Sequence, residues 1–245
     1  MKKIFIKLAR LLGYEIIDQN NFVSPTLKKE LNENLSKINK ESIILPLGKV
    51  NITRKIKSLL IVFRTNTNVE IWDQNKKRLF EEPKIEYAKR SLNSLIKSIK
   101  NLKANYNSIR VDIKVVDDNS TKENLALIKS ILENSKENYE IINHNYSEHI
   151  NIIKEQKSKE TFSNLSSLLK CFEIGKNNGE DLIYFIEDDY LHFRSSLEEM
   201  VGTYERIASQ LNKDLIICPS DYPYLYMNNE KTNLLIGSKR HWRTI

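Results

Sequence analysis

Short apolar segments alternate with segments of helical periodicity through most of the chain. Residues 58–64 (SLLIVFR) are almost wholly apolar, which is the pattern of a strand buried on both faces of a parallel sheet. The segment 85–102 then repeats apolar residues every three or four positions and predicts an amphipathic helix. Further strands are predicted at 111–116, 139–144, 181–186 and 214–218, and further helices at 123–132, 162–174 and 196–211. This alternation predicts an α/β fold whose central, mostly parallel sheet is flanked by helices.

The helix predicted at 162–174 has a distinct apolar stripe and a clear stop signal. The stripe consists of Leu165, Leu168, Leu169 and Phe172, at helical spacing. Gly175 or Gly179 is expected to end the helix.

The length and charge of the chain limit its organisation and its partners. With 245 residues, 40% of them hydrophobic, the chain suits one α/β domain over 58–245, preceded by an extension over 1–57. We expect the full protein to continue past the last residue.

The formal charge of +7 favours an anionic partner, which can be a membrane surface, a nucleic acid or a phosphorylated substrate. No nucleic-acid-binding motif accompanies the charge, so nucleic acid is not expected.

The first twelve residues, MKKIFIKLARLL, combine basic and apolar residues. Lys7 and Arg10 interrupt the apolar region and no small-residue cleavage site follows, so a signal peptide is not expected. The segment predicts a short amphipathic helix that either lies on an anionic bilayer or packs on the protein itself. No apolar run reaches the roughly 20 residues of a membrane-spanning helix. We therefore expect a cytoplasmic protein, with peripheral contact to the inner face of the membrane if this helix binds lipid.

The two cysteines lie in separate apolar segments. Neither Cys171 nor Cys218 has a CxxC or Cys/His spacing. This usage predicts buried free thiols in a reducing compartment, with no disulfide and no zinc site.

Two groups of carboxylates directly follow predicted strands. Asp117 and Asp118 end one strand, and Glu187, Asp188 and Asp189 end another. Because parallel strands place their carboxyl ends at one edge of the sheet, a single crevice there is expected to collect both groups.

The close spacing of these carboxylates indicates a possible metal site. Neighbouring carboxylates repel one another and lose solvation unless a cation or hydrogen-bond donors compensate them. Mg²⁺ and Mn²⁺ prefer oxygen ligands, and Mg²⁺ is usually held by one or two carboxylates together with substrate phosphates. The second group therefore predicts a divalent metal that neutralises a leaving diphosphate. An Asp-Asp-Asn-Ser turn is equally common as a plain helix cap, so the first group taken alone is as well explained by local structure.

Four segments together resemble the GT-A glycosyltransferases, particularly the family 2-like group. They are the strand at 59–64, the helix segment 90–96 (RSLNSLI), the strand and turn 115–121 (VVDDNST) and the segment 182–190 (LIYFIEDDY). The resemblance covers residues 58–220 approximately and implies a Rossmann-like GT-A fold. It also implies a UDP- or GDP-sugar donor, a carbohydrate or lipid-linked acceptor, and transfer with inversion.

The resemblance implies roles for the acidic residues as well. In Val-Val-Asp-Asp-x-Ser the second acid contacts the nucleotide base, which here is Asp118, with Asp117 beside it. The later group is similar to the DxD motif. That similarity implies Glu187 or Asp188 near the ribose and Asp189 on the Mn²⁺ or Mg²⁺.

The chain also departs from the family pattern. The first strand of the family usually ends in a Pro-x-x-Asn type of turn, whereas Arg64, Thr65 and Asn66 follow here, before an insertion at 69–83. Thr65 and Asn66 are the expected donor contacts at this turn. An inverting enzyme also needs a carboxylate base. Asp221 is the nominated base, and the alternatives are an acid beyond the last residue or a turn-capping role for Asp221.

Several aromatic and basic residues have two interpretations each. The tyrosines of 222–226 could stack on a sugar or pack in a turn. Residues 241–243 (HWR) could bind diphosphate or acceptor, or form a surface strand. His144 and His149 have no ligand-like spacing with an acid and are interpreted as structural.

Two other functions compete with sugar transfer. A nucleotidyltransferase on a similar sheet would carry a Gly-rich, Lys-bearing loop after its first strand, and Arg64-Thr65-Asn66 contains no glycine. A noncatalytic, membrane-associated scaffold is the alternative from another class. Metal-dependent binding of a nucleoside diphosphate separates a transferase from a scaffold.

Overall fold

The structure, a computed structural model of the chain, describes residues 2–12, 44–45, 51–68, 82–154, 158–218, 234–237 and 240–244. Two compact units make up the chain, Ile56–Glu198 and Met1–Lys55 with Glu199–Ile245. Asp221, the tyrosines of 222–226 and most of the insertion at 69–83 lie outside the described residues. The division into 1–57 and 58–245 stays a prediction.

All strands and helices predicted between residues 58 and 211 are present, with ends that differ by a few residues. In chain order the elements are α1 (Lys2–Leu11), β1 (Ile44–Leu45), β2 (Ser58–Thr65), α2 (Lys84–Asn105), β3 (Arg110–Asp117), α3 (Lys122–Glu133), β4 (Asn138–Asn143), a 3-10 helix (Tyr146–His149), α4 (Lys159–Asn178), β5 (Leu182–Glu187), α5 (Ser196–Leu211), β6 (Ile217–Cys218), β7 (Leu234–Ile236) and β8 (His241–Thr244).

The unit Ile56–Glu198 is built on a four-stranded, all-parallel sheet in the order β4-β3-β2-β5. This confirms the predicted α/β class with a parallel sheet flanked by helices. The chain steps outward from β2 through β3 to β4 and then returns to the other side of β2 to form β5. The strand order therefore reverses between β2 and β5. In open α/β sheets the ligand crevice lies at the carboxyl ends of the strands that flank such a reversal.

Strand β2 is the centre of this core. Its residues from Ser58 to Phe63 are all buried. Leu60 and Val62 cluster with Val116 of β3, and the alternating residues of β2 point to the opposite face. The continuous apolar run follows from this position, because both faces of the strand are covered.

Helix α4 buries a different face from the one predicted. Leu165, Leu168 and Leu169 are only partly buried, and Phe172 is 49% exposed. The buried residues of the helix are instead mostly small: Ser166, Ser167, Cys171, Ile174 and Gly175. Small side chains let the helix approach the sheet closely, and a Cβ placed on Gly175 would lie 2.6 Å from Cζ of Phe185. The helix therefore continues through Gly175, and it ends before its C-cap residue, Gly179.

Both cysteines are free thiols; Cys171 is buried, as predicted, whereas Cys218 is only partly buried. Cys171 packs between α4 and the sheet, and burial raises the pKa of its thiol to about 12. A thiol with this pKa is uncharged at neutral pH and is a poor nucleophile.

In the other unit, four short strands form a mixed sheet in the order β1-β7-β8-β6. The strand predicted at 214–218 is shorter than expected and lies in this sheet, where β6 pairs antiparallel with β8. Asp214 is instead held by side chains, since it pairs with Arg54 and accepts a hydrogen bond from the Tyr204 hydroxyl at 3.2 Å. Residues 241–243 belong to β8, and Trp242 is buried. The segment is thus a strand, although its tryptophan is not at the surface as the strand interpretation expected, and the binding of diphosphate or acceptor stays a prediction.

Thr121 caps the N-terminus of α3, as its position after the Asp-Asp turn predicts. Its side-chain oxygen accepts a hydrogen bond from the Asn124 amide at 3.2 Å. We expect Thr121→Ala to lower the free energy of unfolding by about 1 kcal/mol, because one of the first amides of the helix loses its acceptor. Urea denaturation measures this change. Thr121→Ser keeps the hydroxyl and serves as the control, and an equal loss in both variants would contradict the capping role.

Candidate functional site

A polar cleft of about 520 Å³ opens at the carboxyl ends of β2, β3 and β5. The residues that follow these strands line it, together with the first residue of α2 and the N-terminal half of α4. The lining consists of Arg64, Thr65, Asn66, Lys84, Asp118, Asn119, Lys159, Glu160, Ser163, Asn164, Ser167, Glu187, Asp188 and Asp189. Asp118 of the first acidic group thus meets the three acids of the second group in one cleft, at the point where the strand order reverses.

Asp188 is the most tightly held carboxylate in the cleft. It is 4% exposed, and its Oδ2 accepts hydrogen bonds from Oγ1 of Thr65 at 2.8 Å and from the Asn66 amide at 3.2 Å. Its Oδ1 lies 2.6 Å from Nζ of Lys84. Both oxygens of Asp188 are therefore engaged. Thr65 and Asn66, which were expected to contact the nucleotide-sugar donor, donate hydrogen bonds to Asp188 instead.

Lys84 is a site residue that the sequence interpretation missed. It is the first residue of α2 and its side chain is 18% exposed. The sequence interpretation assigned the compensation of the acidic group to a divalent metal, but at Asp188 the ammonium of Lys84 and two hydrogen-bond donors supply it. Pro83 directly before the helix is a helix-start signal, and it could have placed Lys84 in the first turn. Nothing in the sequence connects that turn with Asp188, about a hundred residues later.

Glu187 is compensated in a similar way. It lies opposite Arg64 in the register of β5 and β2, and the two side chains form an ion pair. The other terminal nitrogen of Arg64 donates to the backbone oxygen of Asn164 at 3.1 Å and to Oγ of Ser167 at 3.2 Å. Arg64 therefore connects the ends of both strands to α4.

Asp189 is more exposed than its two neighbours, since the side chains of Glu187 and Asp188 are 47% and 6% exposed. Its side chain is 52% exposed, and its Oδ2 lies 4.0 Å from Nζ of Lys84. Partial burial raises the pKa of Asp189, Lys84 opposes the rise, and the charges of Asp188 and Glu187 add to it. A raised pKa means that the negative charge is not fully compensated by its surroundings.

The residues of the cleft fit a metal held mainly by its substrate. In the part of the chain that the structure describes, no three acidic, histidine or cysteine side chains converge as a metal cage. The accessible carboxylate of Asp189 nevertheless suits an ion that takes one protein ligand and completes its shell with phosphate oxygens and water. Asp189 is thus the residue that could hold Mg²⁺ or Mn²⁺ together with a diphosphate.

Asp117 and Asp118 are adjacent but occupy different environments. Asp118 lines the cleft, and both of its carboxylate oxygens lie 2.8 Å from Oγ of Ser163. Asp117 is 3% exposed and lies outside the lining, where its Oδ2 accepts a hydrogen bond from the Ser120 amide at 3.0 Å. Burial raises the pKa of Asp117, whereas the hydrogen bonds from Ser120 lower it. Asp117 therefore has the geometry of a turn cap, and Asp118 that of a cleft residue.

The polar face of α4 is the second part of the site that sequence interpretation missed. Lys159, Glu160, Ser163, Asn164 and Ser167 line the cleft from this helix. They recur at intervals of three or four residues and so form a polar stripe. This stripe lies on a different face of the helix from the apolar stripe, and its spacing is the sequence signal that could have identified it.

The two histidines near the sheet lie outside the cleft lining. Oγ of Ser166 lies 2.9 Å from Nε2 of His144 and 2.8 Å from Nδ1 of His149. His149 also contacts Oε1 of Glu173 at 3.1 Å. These contacts join the 3-10 helix and the end of β4 to α4.

No family model matches this chain, and no curated protein matches it in sequence.

Proposed function

We propose that the protein is a glycosyltransferase of the GT-A type that takes a sugar from a nucleotide-sugar donor. The observation that carries this proposal is the meeting of Asp118 and Asp189 in one polar cleft at the reversal of the strand order. The cleft combines carboxylates with the basic side chains of Arg64, Lys84 and Lys159. That combination suits a ligand with hydrogen-bond donors at one end and a diphosphate at the other.

Asp118 is the proposed contact for the nucleotide base. One hydroxyl, that of Ser163, faces both of its oxygens. A hydroxyl donates a single hydrogen bond, so lone pairs on the carboxylate stay available for the N–H groups of a base. The contact with Ser163 also keeps the carboxylate directed into the cleft before a ligand arrives.

The end of β5 is the proposed site for the ribose and the diphosphate. Glu187 or Asp188, each held by a basic side chain, would lie near the ribose, whereas Asp189 would take the Mn²⁺ or Mg²⁺. When bound, the ion would neutralise the charge that develops on the leaving diphosphate. Lys159, at the start of α4, would add a basic contact for the diphosphate in the same cleft.

The remaining parts of the reaction are proposed from the resemblance alone. They are an inverting transfer to a carbohydrate or lipid-linked acceptor and a carboxylate base, for which Asp221 is the nominee. Asp221→Asn should abolish transfer and leave donor binding unchanged if Asp221 is that base.

Isothermal titration with UDP and GDP, with and without MnCl₂, tests the donor site. We expect binding that Mn²⁺ strengthens and that Asp118→Ala weakens at least about tenfold, because a hydrogen bond to a charged group is lost. Asp189→Ala should bind the nucleotide equally with and without Mn²⁺. Glu140→Ala removes an exposed acid that pairs with Lys114 on the sheet and is the matched control.

Each outcome of this titration decides between functions. If neither nucleotide binds in the presence of Mn²⁺, the proposal fails and a noncatalytic scaffold takes its place. If a nucleotide binds but the protein hydrolyses no nucleotide sugar in a screen of donors, the cleft is a binding module. Hydrolysis of one donor would identify the sugar.

A further inference from the structure

Helix α1 exposes its apolar residues to a degree that no other described helix shows. Ile4 and Phe5 are each 66% exposed, Leu8 is 61%, Leu11 is 90%, and Leu12 just after the helix is 67%. At about 100° per residue these five positions fall within an arc of roughly 120°. By comparison, α2 buries eight of its residues. The apolar arc of α1 is thus one continuous surface that faces solvent.

All charged residues of α1 are basic. The helix carries Lys2, Lys3, Lys7 and Arg10 and no acidic residue. On the helical projection Lys7 lies beside one border of the apolar arc, and Lys2 lies beyond the other. The rest of the chain adds no net negative charge, because the whole sequence has a formal charge of +7 and α1 carries four of its basic residues.

The apolar arc and the basic residues of α1 together indicate what binds to this surface. A second copy of α1 would cover the apolar arc but would bring together two helices with four basic residues each, which repel one another. The interface of an anionic bilayer offers acyl chains to the apolar arc and phosphate groups to the basic residues that border it. We propose that α1 lies flat on an anionic lipid surface and holds the protein there. No described helix is long and apolar enough to cross a bilayer.

Sedimentation of the full chain with vesicles tests this proposal. Phosphatidylcholine vesicles are compared with vesicles that also contain phosphatidylglycerol. We expect binding to the anionic vesicles, weakened by salt, and little binding to the neutral ones. Phe5→Ser with Leu8→Ser should reduce the partition coefficient on anionic vesicles at least about tenfold, since two large apolar side chains leave the lipid.

A matched double variant shows whether vesicle binding depends on the apolar arc of α1 or on exposed apolar residues in general. Ile152 and Ile216 are 65% and 69% exposed and lie outside α1, so Ile152→Ser with Ile216→Ser should bind vesicles as the unaltered protein does. Equal binding by the Phe5/Leu8 variant would overturn the proposal, because net charge alone would then explain the attraction. Equal binding to neutral vesicles would overturn the anionic preference.

Two further measurements on the Phe5/Leu8 variant distinguish lipid binding from dimer formation and from damage to the donor site. Light scattering shows whether the chain forms a dimer that the Phe5/Leu8 variant loses; such a dimer without vesicle binding would make a second copy the occupant and refute the lipid proposal. Nucleotide titration of the same variant should match that of the unaltered protein, because α1 contributes no residue to the cleft lining. A failure of the lipid proposal is thereby distinguished from a failure of the donor site.

Discussion

Lys84→Met is expected to lower the free energy of unfolding by about 3 kcal/mol. The substitution removes the ammonium that lies 2.6 Å from Oδ1 of Asp188 and leaves a carboxylate that is 4% exposed without its positive partner. Breaking a buried ion pair on one side is costly, because the remaining charge keeps its desolvation penalty. Thr65 and Asn66 still donate hydrogen bonds to Oδ2, so the loss should fall at the lower end of the usual range. Urea denaturation measures it.

Two further variants separate the ion pair from other effects of the change. Lys97→Met makes the same substitution at an exposed position of α2 and should change stability by less than about 0.5 kcal/mol. The double variant Lys84→Met with Asp188→Asn should regain much of the lost stability, since no buried charge remains. If the single variant were as stable as the unaltered protein, Lys84 would not be the group that compensates Asp188.

Acidification is expected to destabilise the protein by up to about 3 kcal/mol through His192 between pH 6.5 and pH 4. Burial lowers the pKa of His192 to about 4 from its ordinary value of 6.5. Its neutral ring lies with Nε2 at 3.0 Å from the Tyr184 hydroxyl. Above pH 6.5 the ring is neutral in the folded and unfolded chain and does not affect stability. Between the two pKa values only the unfolded chain binds the proton, so stability falls as the pH falls, and below pH 4 the loss is complete.

The measurement is the difference between the unaltered protein and His192→Gln in urea denaturation across this pH range. Carboxylates contribute equally to both proteins and cancel in the difference, which isolates the imidazole. Curves that stay parallel from pH 7 to pH 4.5 would show that His192 does not titrate in this way.

This pH dependence bears on the candidate site. The His192 amide donates to Oγ of Ser94 at 2.9 Å, so His192 anchors the segment after β5 to α2. Asp189 lies three residues earlier in that segment. Protonation of His192 in the folded chain should therefore loosen the loop that carries the proposed metal ligand, and nucleotide affinity should decline as the pH approaches 4.

Local patterns in the sequence were sufficient for the elements and for the edge at which the site lies. The apolar run of β2, the helical spacing of α2 and the acidic residues after β3 and β5 each depend on neighbours within a few positions. A parallel sheet then places the ends of its strands at one edge. These facts are enough to predict that Asp118 and Asp189 lie at one edge of the sheet.

Only the tertiary structure determined which side chains contact each other in the cleft and which face of α4 packs against the sheet. Lys84 reaches Asp188, and Ser163 reaches Asp118, across separations that no period in the sequence encodes. The order β4-β3-β2-β5 and the rotation of α4 about its axis determine these contacts. That rotation depends on how closely the helix can approach the sheet, and Gly175 and the neighbouring small residues allow a close approach that the leucines would not. Strand and helix propensities are properties of short segments, whereas packing is a property of surfaces brought together from distant parts of the chain.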